Sequence, residues 1–185
     1  MNSPVPTRSR RQIWILVALF FAPLALAFLL YYGGAGWRPP GSTNKGELIS
    51  PPLPLPNASA WHGKWTLVYV GDGRCDERCR AALLLTRQTR LALNADMSRV
   101  QRVFLATGNC CDRTYLEAEH PDLTIAPADN DTGAALLAAF PDAASGSIYI
   151  VDPLGNLMMR HAPSVGLSKD LLEDLRKLLK LSHIG

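Results

Sequence analysis

Residues 65–79 read WTLVYVGDGRCDERC. Trp65 to Val70 is rich in β-branched and aromatic residues, which marks a strand. Gly71-Asp72-Gly73 breaks it. From Cys75 to about Asn94, Leu83, Leu84 and Leu91 recur at helical spacing between charges at Arg87 and Arg90. A second strand follows at Val100–Thr107 and ends at Gly108-Asn109. A strand-helix-strand order implies a parallel pair joined by a right-handed crossover.

Toward the carboxyl end, a polar and irregular stretch runs through Pro127, followed by a short alanine-rich helix over Thr132–Phe140. Ser147–Val151 reads as a third strand and Asn156–His161 as a fourth, with Asp152-Pro153-Leu154-Gly155 as the turn between them. That tight turn makes the last two strands antiparallel. Ser168 is expected to cap a closing helix, Lys169–Leu181, whose apolar face carries Leu171, Leu172, Leu175, Leu178 and Leu179. The expectation is an α/β protein: a thioredoxin-like, mixed four-stranded sheet flanked by helices. No internal repeat occurs, which argues against a solenoid.

Toward the amino end, Arg8, Arg10 and Arg11 precede an uncharged run from Ile13 to Tyr32. Such a run makes roughly 30 Å of helix, the thickness of a hydrocarbon core. Pro23 within it is tolerated in a membrane. Arginines before the span and Tyr31-Tyr32 after it predict a cytoplasmic amino terminus and a domain on the far side. The rival reading is a cleaved signal peptide ending near Ala25-Leu26-Ala27. The division expected is a basic tail (1–12), a transmembrane anchor (13–32), a Gly/Pro-rich linker (33–60) and a domain (61–185). Net charge is only +3, so nothing points to nucleic acid.

Four cysteines are present: Cys75, Cys79, Cys110 and Cys111. The first two form Cys-x-x-x-Cys where the first strand passes to the first helix. A helix amino terminus stabilises a thiolate, and Arg74, Arg78 and Arg80 act in the same direction. At i, i+4 on a helix the Cα atoms stand about 6 Å apart, within reach of a disulfide. The pair serves as reactive or ligating thiols or as a structural bridge. Cys110 and Cys111 follow the second strand, whose carboxyl end shares a sheet edge with the first if the two are parallel. They are open to electron relay, metal binding, cross-linking to the first motif, or a structural bridge with one spare thiol.

Residues 63–79, GKWTLVYVGDGRCDERC, together with Tyr149–Gly155 (YIVDPLG) and Leu171–Leu179, resemble the Sco/SenC family. These are membrane-anchored, thioredoxin-like proteins of cytochrome c oxidase assembly. The resemblance covers about Trp61 to Leu181. It implies copper binding through Cys75 and Cys79 and delivery of copper, or of reducing equivalents, to an oxidase subunit. The family's third ligand is a histidine shortly before the third strand; Asp142–Ser147 here contains none. The prolines flanking the family's cysteine motif are also absent. His120 is a substitute ligand, as are Cys110 and Cys111, since copper(I) accepts soft donors. Typical thioredoxins carry a cis-proline before the third strand, where this chain has Gly146.

Three functions follow as expectations. The first is a periplasmic thiol-disulfide protein anchored in the inner membrane, in which Cys75 attacks a partner disulfide and Cys79 resolves the intermediate. Its partner would be an oxidase subunit or another periplasmic thiol or copper protein. The second is a copper(I) metallochaperone using Cys75, Cys79 and a further Cys or His. The third is a tethered scaffold with structural disulfides.

Overall fold

A computed structural model of the protein describes residues 7–33, 43–108, 113–182 and 184. Cys110 and Cys111 lie outside the described residues, as does 34–42 of the linker. The chain divides between Ser42 and Thr43 into two units. The first contains helix α1 (Thr7–Tyr32), interrupted by no charge after Arg11 and carrying Pro23. Its segment Arg10–Tyr32 is long and apolar enough to cross a membrane.

The second unit is built on β2 (Trp65–Asp72), α2 (Glu77–Leu91) and β3 (Val100–Thr107). β2 and β3 pair in parallel from Trp65↔Val100 to Asp72↔Thr107, so both carboxyl ends share one sheet edge. Among the described residues the sheet has six strands, not the four expected, in the order β1 (Glu47–Pro54), β6 (Asn156–His161), β5 (Ile148–Val151), β2, β3, β4 (Leu123–Pro127). β5 (Ile148–Val151) and β6 (Asn156–His161) are antiparallel, as the Asp-Pro-x-Gly turn predicts.

The two added strands are both at edges. β1 (Glu47–Pro54) pairs antiparallel with β6. It carries Pro51, Pro52 and Pro54, which read as linker in the sequence; an edge position tolerates the missing N–H groups. Residues 43–60, expected in the linker, therefore lie in the folded unit rather than outside it. β4 (Leu123–Pro127) pairs in parallel with β3, and α3 (Arg113–Glu119) precedes it; both fall in the stretch expected to be irregular.

Side-chain alternation in β2 sends Leu67 and Tyr69 to one face, Val68 and Val70 to the other. The first face is covered by α2 and α5 (Leu167–Leu181) through Leu83, Leu171, Leu175 and Leu179. The second is covered by Leu136 of α4 (Asp131–Ala138), by Phe140 and by Trp61. A strand covered on both faces is apolar throughout, which is why Trp65–Val70 lacks polar alternation. Ser168 is not the cap of α5. Gly166, in the left-handed region at φ 95°, starts that helix, and Ser168 lies in its first turn.

Two buried polar clusters brace the domain. Arg102, fully buried on β3, donates to Thr86 Oγ1 (3.1 Å), the Leu83 carbonyl (2.7 Å) and Asp122 Oδ1 (2.9 Å). His120 is buried beside it, with Nδ1 3.5 Å from the guanidinium. On the opposite flank, Asp174 of α5 accepts from the backbone N–H groups of Lys45 and Gly46, holding the start of the domain. His161 Nε2 lies 3.4 Å from Asp174 Oδ2, close enough for attraction though not aligned for a hydrogen bond.

Burial holds the pKa of both histidines below the ordinary 6.5; Arg102 and Arg87 add to the effect at His120, while Asp174 and Asp170 oppose it at His161. The unfolded chain then binds more protons than the folded one just below that value, so stability rises with pH there. The contribution of the histidines is complete above about 6.5 and is lost as pH falls toward their folded values. Asp122 acts in a separate, more acidic window. Burial alone would raise its pKa, but Arg102 holds it below the ordinary 3.8. Urea midpoints are expected to fall between pH 7.5 and 5. The fall should flatten in the His120→Gln/His161→Gln variant, and an unchanged slope in that variant would assign the effect to other groups.

Candidate functional site

The Gly71-Asp72-Gly73 turn is held at the sheet edge by its own backbone and by its neighbour. Gly73 N–H donates to the Thr107 carbonyl (2.8 Å) and Cys75 N–H to the Asp72 carbonyl (3.0 Å). Asp72 Oδ1 accepts from Arg74 N–H at 2.8 Å, and the two side chains pair at 3.2 Å. Arg74 is thereby drawn to Asp72 and keeps the pKa of that exposed carboxyl low. Helix α2 begins at Glu77, two residues later than the sequence suggests. Asp76 caps it, its Oδ1 accepting from Cys79 N–H at 3.0 Å. Cys75 thus precedes the cap, in the left-handed region at φ 46°, and Cys79 sits in the first turn.

The two cysteines are joined in a disulfide with Cα atoms 5.0 Å apart. Neither cysteine is open to solvent. Cys75 is 4% and Cys79 2% exposed, because both pack into the core with Tyr69, Leu83, Phe104 and Leu116. Cys79 borders a cavity of about 410 Å3 at the sheet edge, lined also by Tyr69, Arg78, Thr107, Ala144 and Gly146, among others. Cys75 does not line it.

Gly146 stands before β5 in the left-handed region at φ 77°. A Cβ there would come within 3.2 Å of Arg78 Cδ, so a side chain at this position would narrow the cavity mouth. Tyr69 forms the inner wall. Its ring folds over Gly71, where a Cβ would meet Cε1 at 2.8 Å. Burial raises the pKa of the Tyr69 phenol, and the Asp76 charge does the same, with Arg78 acting against them. The phenol therefore stays protonated at neutral pH.

The three arginines around the motif differ. Arg74 is paired with Asp72, and Arg80 lies over the Tyr115 ring at 5.0 Å. Arg78 is exposed, with no hydrogen bond or ion pair among the described residues. Its charge is available at the cavity mouth, although Asp76 and Glu77 in the same helical turn offset it.

His120 does not join the sulfurs. It is held in the Arg102–Asp122 cluster, and Arg102 pairs with Leu67, five positions back along β2 from the Asp72 edge. His161 lies against Asp174, and His62 against Gly155 at the far end of the sheet. Among the described residues no group of three or more His, Cys, Asp or Glu is placed to hold a metal. The Asp142–Ser147 stretch brings only Ala143, Ala144 and Gly146 to the cavity. Tyr69 was not singled out in the sequence, and Arg78 only as one of three arginines around the motif. The i, i+2 relation of Tyr69 to Gly71 was the one signal that the ring turns toward the motif.

The chain matches a family described as transmembrane-like, thioredoxin-like, C-terminal domain, over residues 65–182. None of the curated proteins matches it. Among solved structures it is similar to apo Sco1 from Thermus thermophilus, with a TM-score of 0.57 and 17% identity, covering 75% of this chain and 99% of that one. Yeast Sco1 with copper bound gives a TM-score of 0.57 at 16% identity, covering 77% and 96%. A putative thioredoxin from Neisseria meningitidis gives 0.51 at 16% identity, covering 77% and 94%. At these identities the likeness is one of fold, and it bears out the thioredoxin-like architecture expected from the β2–α2–β3 segment.

Proposed function

This chain belongs to the family of transmembrane-like, thioredoxin-like proteins, residues 65–182 forming the C-terminal domain, and on that premise we propose that it is a membrane-anchored thiol-disulfide protein. In this reading α1 anchors the chain in the inner membrane with its amino terminus in the cytoplasm, and the domain works in the periplasm. The observation that carries the reading is the Cys75–Cys79 disulfide at the junction of β2 and α2, bordered by a cavity whose lining includes Cys79. The helix amino terminus and Arg78 favour the thiolate that exchange requires. The partner is a protein disulfide or dithiol. The Sco-like fold and the resemblance of residues 63–79 favour a client in cytochrome c oxidase copper-site assembly, either an oxidase subunit or another periplasmic thiol or copper protein.

The second reading is a copper(I) metallochaperone. Yeast Sco1, of the same fold, has been solved with copper bound. Here Cys75 and Cys79 supply two sulfurs once the disulfide is reduced, but the described residues offer no third ligand beside them. A complete site therefore rests on Cys110 or Cys111, which follow the Thr107 edge by three and four residues in sequence. A two-part measurement on the full chain in detergent separates the readings. The reduced chain is expected to convert glutathione disulfide to thiols, with loss of two thiols from Cys75 and Cys79. If the reduced chain instead leaves glutathione disulfide untouched and carries copper(I) through gel filtration, the chaperone reading replaces the first. Failure of both leaves a tethered scaffold.

A further inference from the structure

The cavity at the sheet edge borders the cysteine pair, and among the described residues three charged side chains line it: Asp72, Asp76 and Arg78. The two carboxylates are already engaged. Asp72 is paired with Arg74, its Oδ1 accepting from the Arg74 backbone N–H as well. Asp76 caps α2, its Oδ1 accepting from Cys79 N–H, so the helix amino terminus offsets its charge. Arg78 alone of the three has no ion pair or hydrogen bond among the described residues.

The helix separates this charge from its neighbours in sequence. Glu77 and Arg80 line a different cavity, beside Tyr115 and His120, and Arg80 lies over the Tyr115 ring. Arg78 turns toward the sheet edge: a Cβ at Gly146 would come within 3.2 Å of its Cδ and 3.9 Å of its Cγ. Its aliphatic stem therefore rests across the glycine, as long cationic side chains commonly do, and leaves the charge to the cavity mouth. That charge is felt inside. It lowers the pKa of the Tyr69 phenol, against the larger effects of burial and of Asp76, which raise it. Leu137, Ala143, Ala144 and Gly146 complete the wall without a polar side chain.

We propose that Arg78 is a specificity-determining residue, and that the cavity takes an acidic side chain standing beside the partner's reacting cysteine. The proposal rests on the thiol-disulfide reading above and names the partner chemistry which that reading leaves open. Arg78 takes no part in the bond changes. A carboxylate that reaches it brings the partner's sulfurs to the Cys75–Cys79 junction. Guanidinium and carboxylate match in shape as well as charge, since the planar fork donates two parallel hydrogen bonds. An amide in the same place gains less, and an ammonium is repelled. Ion pairs reached by solvent are weak and screened by salt, so the selection is a few-fold effect that fades as salt rises.

The test uses the full chain in detergent with Cys110→Ser and Cys111→Ser, reduced so that only the first pair reacts. Its substrates are synthetic peptides with an internal disulfide, differing in one residue beside a cysteine: Asp, Asn or Lys. Each rate of reduction is divided by that of the same peptide with dithiothreitol, which removes the effect of the charge on the peptide's own disulfide. The parent is expected to favour Asp over Asn about threefold at low salt, with Lys the slowest. Arg78→Gln should bring the three rates together, Arg78→Lys should keep their order, and Arg78→Glu should reverse it. Equal rates in the parent overturn the proposal. So does a preference that survives in Arg78→Gln while all three peptides slow alike, since Arg78 would then act only on the thiolate. If glutathione disulfide is reduced and no peptide is, the cavity takes no partner segment and the proposal alone fails. If neither is reduced, the thiol-disulfide reading fails and the proposal falls with it.

Discussion

Arg102→Ala is expected to lower the free energy of unfolding by about 3–5 kcal/mol, the range for breaking a buried ionic cluster by removing one member. The guanidinium is wholly buried and makes three directed hydrogen bonds, to Thr86 Oγ1, the Leu83 carbonyl and Asp122. Burial pushes its pKa down, and Asp122 acts against that push. Truncation would strand the Leu83 carbonyl and the Thr86 hydroxyl without this donor and open a cavity against α2. Asp122 is only partly buried and regains water, so its share of the loss is smaller. Arg102→Met fills most of the volume without the charge and should cost less than Arg102→Ala; the difference reads the packing contribution. Urea denaturation followed by circular dichroism measures both. A loss under about 1 kcal/mol for Arg102→Ala would place this arginine among ordinary surface ion pairs. The functional reach of the cluster comes through Leu83, one turn beyond Cys79 on α2. Loosening that turn should also loosen the wall of the cavity.

The parts of the fold legible in the sequence are those specified by neighbours along the chain. Trp65–Val70 is apolar because it is covered on both faces, and Asp152-Pro-x-Gly closes a hairpin wherever it stands between two strands. The position of the Cys-x-x-x-Cys was legible for the same reason, since a glycine turn after a buried strand is a local device; the Asp76 cap was not read, and the helix was placed two residues early. β1 was not, because prolines read as extended linker unless a partner strand is known, and that partner, β6, is a hundred residues away. β4 is five residues long, half-exposed and ends on Pro127, too little pattern to set it apart from a loop. The burial of His120 and of the two cysteines escaped for a deeper reason. His120 looks like a polar loop residue until Arg102, a charge that no local pattern would place in a core, is found beside it. The sulfurs lie where a helix amino terminus predicts, but how far they sink depends on Tyr69, Phe104 and Leu116 arriving from three elements.

Reducing the Cys75–Cys79 disulfide is expected to lower stability by about 2 kcal/mol, since it closes a short loop and loop-closure entropy grows only with the logarithm of length. That figure bears on the function. A domain with two cores has a typical stability of roughly 5–15 kcal/mol, so loss of about 2 leaves the reduced form folded. An exchange cycle needs both forms folded, because the reduced chain must present its thiols to a partner at the same junction. A structural staple carries no such requirement. Urea titrations of the full chain with Cys110→Ser and Cys111→Ser, oxidised and reduced, should differ in midpoint while keeping the same slope, with the far-ultraviolet dichroism of the native state unchanged. If reduction instead unfolds the sheet, or shifts stability by more than about 5 kcal/mol, the pair is acting as a staple. The β2–α2 junction would then owe its cysteines to folding, and the search for a redox partner would lose its physical basis.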